Sequence, residues 1–249
     1  MILTSVMSVA TPTPLPTPLD DLTYPVLSPH RGGLDVYPEN TLTAFKAVRD
    51  KYPDAPIEFD VRALADGTPV IIHDATVDRT AAHGVTGSVK GMTKSQWGSL
   101  RIVDPAGGAV PASTLDEVVD EFIGTETLLV PELKDHDACD VFIEKLWPLR
   151  GQIVASSSNR DVVSRLVRSG FTTLQLVSAG QVDLVEGVYA LGIRHTLLTR
   201  EIIDDTHRAG VTVWAWTVND QNRIDELMNM EVDAIISNDP RLTVGVSQE

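Results

Sequence analysis

The sequence predicts an α/β fold, a TIM (β/α)8 barrel with a small insertion after the hairpin of its second strand. From residue 25 onward, short β-branched or apolar segments alternate with amphipathic segments, which indicates a parallel sheet. The strand count comes to eight, the number that closes such a barrel. The length of 249 residues suits one barrel, and a hydrophobic content of 43% allows a sizeable core.

Eight strands and seven helices are predicted in alternation along the chain. The strands are expected at residues 26–30, 57–61, 127–133, 152–156, 173–177, 194–198, 211–217 and 233–237. The helices are expected at residues 40–51, 115–123, 137–147, 161–169, 181–191, 200–209 and 220–230. Gly170, Gly192 and Gly210 each directly follow a predicted helix, where glycine commonly ends the helical turn.

A ninth apolar segment, residues 69–73, is interpreted as a hairpin extension of the second strand. The connection from Val61 to Pro69 is residues 62–68, which is shorter than the dozen or so residues that a parallel crossover needs. Asp66 and Gly67 within this connection form a strong hairpin turn signal. The segment is therefore not a barrel strand, and the count stays at eight.

The chain divides into an arm and one barrel domain. Residues 1–24 are rich in proline and are predicted to be a flexible arm, and residues 25–249 a single TIM-barrel domain. Residues 75–112 have weak periodicity and several glycines, so we expect an insertion over the barrel mouth. The first ten residues lack the basic region of a secretory signal, and no apolar run approaches the roughly 20 residues that span a bilayer. We therefore expect a cytoplasmic protein without stable membrane anchoring.

The charge of the chain restricts its partners. There are 35 acidic and 20 basic residues, giving a formal net charge of -15. Such a chain is a poor general binder of nucleic acid, whose phosphates dominate affinity, and it repels anionic membranes. A phosphate ester substrate would need local positive charge from a basic pocket or a metal ion. We expect a small-molecule substrate and no nucleic acid, and the oligomeric state stays open.

Acidic side chains fall at the ends of two predicted strands, where TIM barrels carry their active sites. Period-two alternation puts Glu58 and Asp60 on one face of the second strand, where they would repel each other without a cation. Glu132 and Lys134 share a face of the next barrel strand. Three carboxylates would suit Mg²⁺ or Ca²⁺ better than zinc, and Lys134 would serve as a point charge for phosphate. The alternatives are a solvated carboxylate at the strand end and a surface Glu–Lys pair.

Two histidines, an arginine and two tryptophans complete the candidate residues. His30 and Arg31 end the first strand, and they offer acid–base chemistry and a planar fork for phosphate oxygens. The hairpin would return His73 toward His30, so that the two could act as general base and general acid. The alternatives are a chance His–Arg pair in a loop and an exposed histidine. Trp214 and Trp216 share a face of the seventh strand, and either line a ligand pocket or pack in the core.

Several motifs in this order and spacing resemble the glycerophosphodiester phosphodiesterase family from about residue 26 to residue 240. They are HRGG, PENT, EFD, DG-x-x-V-x-x-HD, ELK, WTVN and IISNDP. The resemblance implies a TIM barrel that uses Mg²⁺ or Ca²⁺ to hydrolyse glycerophosphodiesters to glycerol 3-phosphate and an alcohol. It also implies the roles of eight residues: His30 and His73 as the acid–base pair, Glu58, Asp60 and Glu132 as metal ligands, Arg31 and Lys134 as phosphate-binding residues, and Trp216 beside the glycerol.

Two other functions fit the same residues. An enzyme of the lysophospholipase D or sphingomyelinase D type uses a similar barrel and the same His/Glu/Asp geometry. Such an enzyme has to engage lipid, and the sequence shows no basic amphipathic helix or apolar patch for that purpose. A catalytically silent barrel that only binds a phosphodiester would be favoured by the loss of a ligand residue, and none of the core set is missing.

Overall fold

The computed structural model describes residues 25–180 and 182–244, so the predicted arm at residues 1–24 lies outside the described residues. The strands are β1 (Val26–Pro29), β2 (Ile57–Ala63), β3 (Pro69–Ile71), β4 (Arg101–Val103), β5 (Ala109–Pro111), β6 (Leu129–Leu133), β7 (Val154–Ser157), β8 (Thr172–Val177), β9 (Ala190–Arg194), β10 (Thr212–Trp216) and β11 (Ala234–Ser237). The α-helices are α1 (Leu42–Lys51), α2 (Lys94–Ser99), α3 (Leu115–Phe122), α4 (Cys139–Leu146), α5 (Arg160–Arg168), α6 (Arg200–Arg208) and α7 (Gln221–Asn229).

The large sheet confirms the predicted TIM-like barrel. Its strands lie in the order β1-β11-β10-β9-β8-β7-β6-β2-β3, and all neighbours are parallel except β2 and β3. β3 pairs antiparallel with β2, and Val61 lies opposite Ile71. The predicted hairpin is therefore confirmed, and eight parallel strands remain. Near the start of β2, the Ser28 hydroxyl donates a hydrogen bond of 2.8 Å to the carbonyl oxygen of Pro56.

Apolar side chains pack on both sides of the barrel wall. Ile57, Phe59 and Val61 of β2 belong to a core cluster that includes residues of α1 and α3. Glu58 and Asp60 alternate with them and therefore point into the barrel. A separate cluster fills the interior below these carboxylates with residues Val26, Leu128, Val130, Val154, Leu174, Ala190, Trp214, Ala234 and Ile236. The predicted alternation on β2 is thus confirmed.

The predicted helix at residues 181–191 is wrong, and the strand predicted at 194–198 lies four residues earlier, as β9. The described residues between β8 and β9 form turns and irregular backbone. The side chain of Gln175 on β8 replaces helical hydrogen bonds there, since its amide donates to the Asp183 carbonyl and its oxygen accepts from Val185 N–H. Gly170 and Gly210 follow α5 and α6 as predicted, with φ of 80° and 74°.

Gly192 lies inside β9 and does not end a helix. A Cβ atom there would lie 2.5 Å from Cδ2 of Leu176 and 3.2 Å from Cδ1 of Leu174. Glycine leaves room for these leucine side chains close to the β9 backbone, and an added Cβ atom would force them to move. The sequence signal was a glycine after an amphipathic stretch, and that signal does not distinguish a helix end from a crowded strand.

Residues 75–112 form the predicted insertion. It contains α2 and the β4–β5 hairpin. A core cluster joins it to the β2–β3 hairpin: Leu64, Val70, Ile72, Val77, Ala81, Val89, Trp97, Leu100, Ile102 and Ala112. The indole N–H of Trp97 donates to the carbonyl of Ser113 over 3.1 Å. The insertion is therefore held against the hairpin that carries His73.

The last barrel unit is short. Within the described residues, 238–244 after β11 contain no α-helix. Across the described ranges, no helix combines the length and the apolarity needed to cross a membrane.

The close approach at Gly192 predicts the effect of one methyl group. Gly192→Ala should lower the free energy of unfolding by about 1–3 kcal/mol, because an added atom in a packed region displaces its neighbours. Gly98→Ala is the control: Gly98 lies in α2, a Cβ there meets nothing within 4 Å, and alanine favours helix. Urea unfolding measures both, and a Gly192→Ala protein as stable as the wild type would contradict the crowding.

Candidate active site

A cavity of about 250 Å³ lies at the C-terminal ends of the barrel strands. Seven of the eight predicted site residues line it, and the eighth, Asp60, is buried beside Lys134. The lining residues are His30, Arg31, Glu58, His73, Glu132, Lys134, Ser156, Ser158, Leu174, Leu176, Ser178, Trp216, Thr217 and Ile236. The structure thus brings all the predicted residues together. The serines were not predicted, since an isolated serine at a strand end carries no periodic signal.

Three carboxylates converge in the barrel interior. One oxygen from each of Glu58, Asp60 and Glu132 lies within 4.8 Å of the others. Asp60 on β2 lies directly opposite Glu132 on β6, which sets the approach. Glu58 and Asp60 are 5% and 1% exposed. Burial and the charge of Asp60 raise the pKa of Glu58 well above its usual value, and they also raise the pKa of Glu132.

The donor set fits a hard divalent cation. The Oδ1 atom of Asp60 is buried without a hydrogen bond, although Lys134 Nζ lies 3.1 Å away as an ion-pair partner. Burial opposes ionisation of Asp60, but the charges of Lys134 and Arg31 hold its pKa below the usual value. A buried, ionised oxygen without a hydrogen bond, beside two further carboxylates, matches the all-oxygen ligand sets of Mg²⁺ and Ca²⁺.

A supporting residue that the sequence reasoning left without a role holds Asp60. The Asn40 amide donates to Asp60 Oδ2 over 2.8 Å, and Asp60 N–H donates to Asn40 Oδ1 over 3.0 Å. Asn40 adopts a left-handed φ of 55°, which asparagine tolerates better than most residues. The motif PENT contains it, but its partner lies 20 positions away, so local spacing does not reveal the contact.

Two cations flank the carboxylates. Arg31 N–H donates to Glu58 Oε2 over 2.6 Å, and its Nε lies 3.4 Å from Asp60 Oδ2. Lys134 Nζ lies 2.7 Å from Glu132 Oε2. Burial opposes the charge on Lys134, but Asp60 and Glu132 outweigh it and raise the pKa of the ammonium group. Both side chains therefore bring positive charge to the cavity of an acidic protein.

In each histidine, the Nδ1 atom of the ring has a hydrogen-bond partner. His30 Nδ1 lies 2.7 Å from the amide oxygen of Asn238, and His73 Nδ1 lies 2.7 Å from Asp74 Oδ1. An Nδ1–H that donates to these oxygens leaves Nε2 for proton transfer. Burial, with the charge of Arg31, lowers the pKa of His30 to about 4. Burial also lowers the pKa of His73.

The two tryptophans have different environments. Trp214 is fully buried in the barrel interior, whereas Trp216 lines the cavity. The guanidinium carbon of Arg194 lies 5.8 Å from the centre of the Trp216 ring. Trp216, the residue expected beside a ligand, is therefore at the cavity wall, and Trp214 is a core residue.

The fold and the cavity define a TIM-like barrel with a carboxylate-rich site at the C-terminal ends of its strands. The sequence profile described as the glycerophosphoryl diester phosphodiesterase family matches residues 30–138 and 117–242, which together include all the cavity residues and every barrel strand after β1. The chain belongs to this family.

Curated relatives agree with the family assignment. A putative glycerophosphodiester phosphodiesterase of Bacillus subtilis is 30% identical over 233 residues, covering 85% of this chain and 93% of the relative. A glycerophosphodiester phosphodiesterase of Caldanaerobacter subterraneus subsp. tengcongensis is 30% identical over 240 residues, covering 87% and 95%. The alignments therefore run over nearly the whole of both relatives.

Solved structures share the fold. A putative glycerophosphoryl diester phosphodiesterase from Silicibacter pomeroyi has a TM-score of 0.77 and 19% identity, covering 92% of each chain. A phosphodiesterase from Oleispira antarctica, solved with its product sn-glycerol-3-phosphate, has a TM-score of 0.74 and 23% identity, covering 90% of this chain and 96% of that one. At these identities the similarity establishes the barrel architecture.

Proposed function

We propose that this protein hydrolyses glycerophosphodiesters to glycerol 3-phosphate and an alcohol with Mg²⁺ or Ca²⁺. The observation that carries the proposal is the group of three buried carboxylates whose oxygens lie within 4.8 Å of one another, in a cavity shared with two cations and two histidines. Membership of the family and the names of the relatives support the substrate class.

Glu58, Asp60 and Glu132 would hold the cation. When bound, a divalent cation supplies Lewis-acid polarisation of a phosphoryl oxygen and balances the carboxylate charge. Arg31 and Lys134 bind the non-bridging phosphoryl oxygens and offset the charge that builds on them. Trp216 packs its ring against the glycerol carbons.

His30 and His73 act as the acid–base pair. The low pKa of His30 keeps its ring neutral near pH 7, as a general base requires, so His30 takes the proton of the attacking oxygen. That oxygen belongs to water or to the 2-hydroxyl of the substrate's own glycerol. In the second case the alcohol leaves with formation of a cyclic phosphate, and a water molecule must then open the ring to give glycerol 3-phosphate. His73, protonated on both ring nitrogens and held through Nδ1–H by Asp74, then gives its Nε2 proton to the leaving alcohol.

Residues 75–112 border the mouth of this cavity. This placement is supported by Arg79, which lies in this segment and donates hydrogen bonds to Glu39 and Asp74. Glu39 is a partner of Arg31, and Asp74 is the partner of His73. The substrate is a small molecule, and the net charge of -15 disfavours nucleic acid and stable anchoring to anionic membranes.

An assay of metal-free protein against a panel of glycerophosphodiesters tests the proposed function. Release of glycerol 3-phosphate should require added Mg²⁺ or Ca²⁺, and Glu132→Gln should lower kcat/KM by more than about 100-fold, since one proposed ligand is lost. Glu126→Gln removes the same charge at an exposed position close in sequence and should change little.

Three outcomes would contradict the proposed function. Full turnover in excess chelator would rule out the metal requirement. Preference for lysophosphatidylcholine over glycerophosphocholine would favour the lysophospholipase D type. Binding of glycerophosphodiesters without turnover in either metal would favour a silent binding barrel.

Substrates with different leaving groups test the two histidine roles. His73→Ala should lose about 100- to 10,000-fold in rate on glycerophosphocholine. It should lose much less on a glycerophosphodiester of p-nitrophenol, because that leaving group needs no proton. His30→Ala should be slow on both substrates. If both variants lose activity equally on both substrates, or if neither loses it, the division into base and acid is wrong.

A further inference from the structure

Arg79 joins the two sides of the proposed active site from outside the cavity. Its Nη1 and Nη2 donate to Oε2 and Oε1 of Glu39 over 2.5 and 2.9 Å, a two-pronged contact with one carboxylate. Its Nε donates to Asp74 Oδ2 over 2.7 Å. One guanidinium group therefore ties together two carboxylates from segments 35 residues apart in sequence.

The Asp74 side of this contact leads to His73. Asp74 offers Oδ2 to Arg79 and Oδ1 to His73 Nδ1, which lies 2.7 Å away. With both oxygens engaged, the carboxylate cannot rotate without breaking a charge-assisted hydrogen bond. The ring of His73 is 34% exposed, so packing alone restrains it little.

The Glu39 side of the contact leads to Arg31. Glu39 Oε1 accepts from Arg31 Nη1 over 3.1 Å as well as from Arg79 Nη2. The Glu39 side chain is only 12% exposed, so its charge is poorly hydrated and depends on these two partners. Arg31 in turn lies against Asp60. Arg79 therefore contacts the partner of a phosphate-binding residue and the partner of a catalytic histidine.

The backbone around Arg79 is anchored in the core of the insertion. Thr80 and Ala81 N–H groups donate to the carbonyl oxygen of Val77, which closes a turn around Arg79. Val77 is fully buried in the core cluster of the insertion, to which Trp97 also belongs. The backbone of Arg79 is thus anchored although about half of its side chain is exposed.

We propose that Arg79 is a positioning residue, which fixes Asp74 so that His73 keeps its Nδ1–H donated and its Nε2 facing the cavity. The role rests on the proposed function, in which His73 transfers a proton. This role would connect the insertion to the active site, although none of residues 75–112 lines the cavity.

The charge of Arg79 matters as well as its hydrogen bonds. A carboxylate beside an imidazole stabilises its protonated form, and a guanidinium on the same carboxylate weakens that effect. The other charged groups that act on His73 come from three further segments, and they are Asp60 on β2, Lys134 after β6, and Arg31 and His30 after β1. Removing Arg79 leaves these in place and changes the charge next to Asp74 and Glu39.

Arg79→Gln tests the proposal against a matched variant. Arg101→Gln removes the same charge from the same insertion, but Arg101 hydrogen-bonds to nearby backbone carbonyls only. Arg79→Gln should lower kcat on a glycerophosphodiester by about 10- to 100-fold, the usual effect of losing an orienting partner. In an Asp74→Asn background, the same change should lower kcat far less, because the route to His73 is already cut. Arg101→Gln should match the wild type, and urea unfolding should show that all variants fold.

NMR of the histidine rings provides a readout that does not depend on turnover. In metal-free protein, with the His73 signals assigned from a His73→Gln spectrum, Arg79→Gln should reduce the fraction of the Nδ1–H tautomer and change the midpoint of His73 protonation, because Asp74 is no longer held beside the ring. A wild-type tautomer and midpoint in Arg79→Gln would overturn the proposal, as would a kcat equal to that of Arg101→Gln. If the wild type shows no hydrolysis, the proposed function fails, and the ring spectra still decide whether Arg79 orients His73.

Discussion

Mutual repulsion among Glu58, Asp60 and Glu132 is the constraint on which the rest of the site depends. Three carboxylates inside a barrel are costly unless opposite charge and hydrogen-bond donors lie close to them. The chain supplies Lys134 and Arg31 as cations, and Asn40 and the Arg31 backbone N–H as donors. One oxygen of Asp60 still has no hydrogen bond, and the three carboxylates together could hold a divalent cation.

The same electrostatics organise the outer part of the site. Arg31 offsets the charge of Asp60 on one side and donates a hydrogen bond to Glu39 on the other. Glu39 then needs a second cation, and Arg79 provides it while also holding Asp74 behind His73. Alternating charges thus connect the carboxylate cluster, the proposed phosphate-binding residue and the proposed acid in one hydrogen-bonded network. This explains how an insertion outside the cavity is connected to the chemistry.

The sequence predicts the parts of the site that follow from strand geometry. Period-two alternation places Glu58 and Asp60 inside the barrel, and the short Asp66–Gly67 connection turns β3 back and brings His73 to the cavity. Contacts between distant segments leave no such pattern, so the partners Asn40, Asn238 and Arg79 received no role. The helix predicted at residues 181–191 is wrong for a related reason. The side chain of Gln175, on strand β8, hydrogen-bonds the backbone of Asp183 and Val185 in place of helical partners.

The central claim is that the three carboxylates bind one divalent cation. Isothermal titration calorimetry of metal-free protein with Mg²⁺ and with Ca²⁺ measures this directly. We expect one ion per chain for at least one of these metals, and Asp60→Asn should weaken that binding by more than about 100-fold while Glu126→Gln leaves it unchanged. Absence of binding for both metals, or equal affinity in the wild type and Asp60→Asn, would contradict it.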